Sequence, residues 1–122
     1  MKEILIFGGT TEGRILAECL AESGISHTLC VATEYGESVL NENPWMKIHR
    51  GRMDADQIRE FIEQEKFAAV VDATHPYADV VTRNIKSAMT EMKIPYFRLK
   101  RELKPFSKTD HRYAGTVYDR NE

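Results

Sequence analysis

Little in this chain ties it to an oxidising compartment, a membrane or a polyanion. Cys19 and Cys30 are its only cysteines in 122 residues. They form no C-x-x-C pair, so neither a redox motif nor a zinc motif is present. Each falls in an apolar stretch, and both read as buried thiols of a reduced, cytoplasmic protein. No apolar run nears the roughly 20 residues that a membrane-spanning helix requires. The opening "MKEILIFGG" has one lysine and a short apolar run, too little for a secretory segment. The net charge of −2, from 17 basic and 19 acidic residues, lacks the cationic excess that attracts nucleic acid. What is present is 42% hydrophobic and 30% charged, the balance of an ordinary globular domain. The length suits one core and is short for two.

Five segments read as strands. "EILIF" (3–7) is a continuous apolar run closed by Gly8, the pattern of a strand buried on both faces. Residues 12–23 carry Ile15, Leu16, Cys19 and Leu20 at helical spacing, and Gly24 supplies a stop. "HTLCVA" (27–32) and "KIH" (47–49) are the second and third strands, with a polar stretch at 33–46 that includes a short helical turn. Asp54 caps a helix over 55–65 that turns Ile58, Phe61 and Ile62 inward. "AAVVDA" (68–73) is the fourth strand. A helix over 77–92 follows, with Val81, Ile85, Ala88, Met89 and Met92 on one face, and "PYFRL" (95–99) is the fifth strand. Strand and helix alternate, which predicts parallel strands with right-handed crossovers. The expected fold is α/β, a Rossmann-like doubly wound parallel sheet of about five strands in the order 3-2-1-4-5. It occupies residues 1–99. Residues 100–122 are charged, broken by Pro105, and read as a linker or the start of a second domain.

The chemistry concentrates in two places. The first is "GGTTEGR" (8–14), between the first strand and the first helix. Gly8 and Gly13 have the spacing of a P-loop, but Arg14 replaces its lysine and Ile15 the Mg²⁺-binding hydroxyl, which argues against NTP hydrolysis. The dinucleotide pattern G-x-G-x-x-G fits better, with Thr10 at the middle position. Backbone N–H groups around Gly9, Thr10 and Thr11 would face a pyrophosphate at the helix N-terminus, joined by the threonine hydroxyls. Glu12 is expected to turn outward. A tight β–α turn without a ligand is the alternative. For the cofactor, Glu34 at the end of strand two would accept from an adenosine 2′-OH and favour NADH. Arg50 or Arg52, after strand three, would instead meet the 2′-phosphate of NADPH.

The second place is "VVDATHPYA" (70–78). In a 3-2-1-4-5 sheet the ends of strands one and four flank the topological switch point, so His75 would stand beside the glycine loop, near a nicotinamide. A structural hydrogen-bonding role is the alternative for His75, and Pro76 is explained by the helix start alone. Tyr96-x-x-x-Lys100 imitates a short-chain dehydrogenase pair. That pair needs a helix; on a strand the two side chains lie roughly 13 Å apart, so the match reads as chance.

Together "ILIFGGTTEGRILAE" and "VVDATHPYA" resemble the precorrin-6A reductase family of cobalamin biosynthesis, with support from "VATEYGE", "GRMDADQI" and "IPYFRLKRE" in matching order. The resemblance implies an NADPH- or NADH-dependent reductase that delivers hydride to a double bond of the precorrin-6A tetrapyrrole, giving precorrin-6B. Some members act on the cobalt-bound macrocycle, where the metal arrives in the substrate and the protein itself needs no metal ligands. By the same resemblance Gly8, Gly9, Thr10, Thr11 and Gly13 hold the cofactor phosphates. Asp72, Thr74, His75 and Tyr77 line the cleft where nicotinamide and substrate meet. His75 is the candidate catalytic residue, as a proton donor or as a partner of a substrate carboxylate. Family members are longer and carry a second α/β domain, so this chain is expected to act with a C-terminal domain or as a homodimer. A non-catalytic dinucleotide-sensing module, or a plain interaction domain, is the alternative.

Overall fold

The computed structural model describes residues 3–32, 43–75, 78–90, 92–101 and 116–121. The chain runs β1 (Ile4–Phe7), α1 (Thr11–Glu22), β2 (His27–Val31), β3 (Met46–Arg50), α2 (Ala55–Glu65), β4 (Ala69–Asp72), α3 (Asp79–Met89), β5 (Tyr96–Arg101) and β6 (Thr116–Asn121). The first five strands are parallel and lie in the order β3-β2-β1-β4-β5, as the alternation of strand and helix predicts. The reversal of strand order between β1 and β4 places the switch point at their C-terminal ends.

The sixth strand is a departure. Residues 116–121, in the stretch read as linker or the start of another domain, pair antiparallel with β5 from Tyr96↔Asn121 to Arg101↔Thr116. Charged residues along "TVYDRN" conceal it, because an edge strand needs no continuous apolar run. The polar stretch 33–42 lies outside the described residues.

Alternation along the strands divides the core in two. Leu5, Phe7, Val70 and Tyr96 face α2 and α3, where Ile58, Ile62, Ile85, Ala88 and Met89 close over them. Ile6, Leu29, Val31 and Val71 face α1 and its Ala17. The α2 cap is a capping box: the Asp54 side chain accepts from Gln57 N–H, and the Gln57 side chain accepts from Asp54 N–H, both at 2.8 Å. The α1 stripe differs from expectation. Gly13 and Ala17 are its buried residues, Leu16 and Leu20 are half-buried, and Ile15 and Cys19 are exposed. Small residues bring this helix close to the sheet, so the buried line is set by proximity rather than by the largest apolar side chains. One of the two thiols is therefore on the surface, contrary to the sequence reading.

Candidate functional site

The glycine loop leaves β1 with a hydrogen bond from Gly8 N–H to the Cys30 carbonyl, 2.9 Å. A Cβ on Gly8 would stand 2.7 Å from Leu29 Cδ1, and one on Gly13 would stand 3.1 Å from Ala73 Cβ. At both glycines the backbone comes close against packed core. Gly9 differs: its φ of +114° belongs to glycine, and a Cβ there would meet nothing within 4 Å. The loop thus presents bare backbone to open space at the start of α1, where the first N–H groups of a helix point. Thr10 is the N-cap. Its hydroxyl accepts from Gly13 N–H at 3.2 Å and donates to the Ala73 carbonyl at 2.6 Å. That hydroxyl, expected to reach toward phosphate, is instead engaged inside the fold. Glu12 is half-buried, with Oε2 closed from solvent, rather than turned outward. Thr11 is exposed at the first position of α1.

The turn after β4 is built from polar side chains. Asp72 is fully buried, as register partner of Arg98 across the β4–β5 pair. Its Oδ1 accepts from the Thr74 hydroxyl (2.6 Å), Thr74 N–H (3.1 Å) and Arg98 (3.2 Å). Its Oδ2 accepts from the Thr82 hydroxyl (2.8 Å) and the Tyr96 hydroxyl (3.0 Å). A carboxylate with five donors and no exposure is an internal anchor. The expectation that Asp72 lines a cleft fails because it lies beneath the loop rather than on its surface. Thr74 is buried with its hydroxyl on that anchor, and His75 is exposed. Tyr77 and Glu34 lie outside the described residues.

A cleft opens beside Gly8 on the α2/α3 side of the sheet, over the ends of β1, β2 and β3. Phe7, Cys30, Val31, Ile58 and Val81 make its walls largely apolar, Thr74 closes one side, and Arg52 stands exposed at its margin after Gly51. Burial pushes the Cys30 thiol up from its ordinary 9.0 to about 12, so it lines the cleft as a neutral group and not as a nucleophile. The structure brings Gly8, Gly9, Thr10, Gly13, Thr74 and the backbone leading to His75 together through the contacts of Thr10 and Gly13 with Ala73. Sequence reasoning misses Arg98. Its signal is an arginine between Phe97 and Leu99 in a strand that should be apolar, which demands a buried carboxylate across from it.

Residues 3–118 match the family model described as precorrin-6x reductase CbiJ/CobK. The chain belongs to the precorrin-6x reductase family. It is 30% identical over 98 residues to a protein from Synechocystis named cobalt-precorrin-6A reductase, covering 80% of this chain and 38% of that one. It is 32% identical over 104 residues to the cobalt-precorrin-6A reductase of Priestia megaterium, covering 85% and 40%. With the precorrin-6A reductase of Rhodococcus erythropolis it shares 36% identity over 103 residues, covering 83% and 40%. The chain therefore spans well under half the length of these precorrin-6x reductase relatives. In fold it is similar to the solved CobK precorrin-6A reductase, with a TM-score of 0.72 and 22% identity over 90% of this chain and 42% of that one. It is also similar to the Bordetella bronchiseptica enzyme WbmH, solved in complex with NAD+, with a TM-score of 0.60 and 23% identity over 73% of this chain and 35% of that one. No helix among the described residues is long and apolar enough to cross a membrane.

Proposed function

We propose that this chain supplies the dinucleotide-holding part of a nicotinamide-dependent reductase that acts on precorrin-6A or cobalt-precorrin-6A, in the cytoplasm, for corrin-ring synthesis. The observation that carries the reading is Gly9: bare backbone with φ +114°, facing open space at the start of α1 and beside the turn after β4. The names of the family and its members supply the substrate class.

A dinucleotide fits the residues present. The N–H groups of Gly9, Thr10 and Thr11 would hold the pyrophosphate, while Gly8 and Gly13 keep strand and helix close enough for them to converge. The apolar cleft beside Gly8 suits the flat adenosine end, with Arg52 available to a 2′-phosphate, and the sequence pattern offers Glu34 as the acceptor for a 2′-OH. The bound nicotinamide supplies the hydride. His75, exposed after β4, offers an imidazole to give the proton that complements hydride addition or to pair with a substrate carboxylate, and the family resemblance adds Tyr77 to the substrate-binding residues. A second α/β domain, which the family resemblance implies and the greater length of the relatives leaves room for, would complete the macrocycle site over residues 1–99.

The test is to incubate precorrin-6A, and separately its cobalt form, with NADPH or NADH and this chain, alone and joined to the remaining portion of the Priestia megaterium relative. Oxidation of the reduced cofactor, matched by a gain of two hydrogens in the macrocycle's mass, is expected. Binding of cofactor with no reduction of either substrate in either arrangement would overturn the reductase reading.

A further inference from the structure

Four consecutive carbonyls in the turn after β4 accept hydrogen bonds from side chains outside that turn. Arg98 Nη1 donates to the carbonyls of Asp72 (3.1 Å) and Thr74 (2.9 Å), and Nη2 donates to that of His75 (3.3 Å). The Thr10 hydroxyl takes the carbonyl between them, Ala73, at 2.6 Å. The guanidinium is itself fixed by Asp72 Oδ1 at 3.2 Å, with side-chain exposures of 10% and 0%. Nη1 shares its two hydrogens among the Asp72 and Thr74 carbonyls and Asp72 Oδ1 while Nη2 reaches His75, and this spread over two nitrogens of one rigid plane is what the single nitrogen of a lysine ammonium cannot reproduce.

We propose that Arg98 is a positioning residue: it draws the backbone of residues 72–75 inward so that His75 is held outward, in fixed register with the glycine loop that Thr10 ties to the same turn. The catalytic consequence rests on the reductase reading above; the mechanical one does not.

The experiment compares Arg98→Lys, Arg98→Met and the pair Arg98→Met with Asp72→Asn. Each is read by thermal unfolding, by amide hydrogen exchange of residues 72–75, and by turnover in the joined protein. Arg98→Met strands a buried carboxylate and lowers the melting temperature; the pair removes that charge and recovers most of the loss. Exchange in 72–75 stays about tenfold or more above wild type in the pair, because the carbonyls still lack their donor. Turnover falls about tenfold or more in Arg98→Lys while the KM for reduced cofactor shifts less than about threefold. Recovery of loop protection together with melting temperature in the pair would overturn the proposal, since Arg98 would then serve only to neutralise Asp72. Cofactor binding without turnover in wild type would refute the reductase reading, and the exchange comparison would still decide the role of Arg98.

Discussion

The turn after β1 and the turn after β4 lie side by side at one end of the sheet and reach fixed geometry by opposite means. The first relies on absent side chains: a Cβ on Gly8 would push Leu29 aside and one on Gly13 would press on Ala73, and Gly9 adopts a backbone conformation that only glycine holds without strain. The second relies on polar side chains, with buried Asp72, Thr74, Tyr96 and Arg98 and half-buried Thr82 joined in one network. A surface of bare N–H groups suits an anion. A buried network of matched donors and acceptors suits the aiming of a side chain. Thr10 belongs to both, as the cap of α1 and the donor to Ala73.

Breaking the polar turn should cost the most. Arg98→Met leaves the fully buried Asp72 carboxylate without its cation, and a loss of about 3–5 kcal/mol in urea unfolding is expected. Crowding the glycine turn should cost less. Gly8→Ala forces Leu29 aside from a 2.7 Å contact, an overpacking cost of about 1–3 kcal/mol. Gly9→Ala meets no neighbour but must hold φ +114°, so a backbone strain of about 1–3 kcal/mol is expected by the same equilibrium unfolding.

The link between the turns can be cut alone. Thr10→Val removes the N-cap acceptor and the donor to Ala73, and about 1–2 kcal/mol should be lost by the same measurement. The smallest effect concerns the cleft floor. Cys30 holds its proton to about pH 12 in the folded chain, against an ordinary 9.0, so its contribution to stability is complete below pH 9 and declines as pH rises from there toward 12. Alkylation of the native chain at pH 8 should label exposed Cys19 and spare Cys30, as peptide mass mapping would show.

These contrasts also explain what the sequence makes legible. Apolar runs such as "ILIF" and "AVVD" announce buried parallel strands, and the five-strand order follows from their alternation with helices. The glycine loop is legible because glycine spacing is itself the geometry. The roles within the second turn are not, because a motif such as "DATH" names residues without saying which lie beneath the surface. Asp72 reads as a substrate contact until its register partner is known, and Arg98 enters only when β5 pairs with β4. The same holds for Thr10, whose hydroxyl is free to serve a phosphate in the sequence but is committed to Ala73 in the fold. Strand β6 escapes for a related reason, since its place depends on β5 offering an edge.

The most direct test of the account is a calorimetric titration of this chain with NADPH and with NADH, repeated on Gly9→Asp. Saturable binding of one dinucleotide per chain, abolished by a carboxylate placed where the pyrophosphate should lie, is the predicted result. No binding of either cofactor, or binding that Gly9→Asp leaves intact, would contradict it.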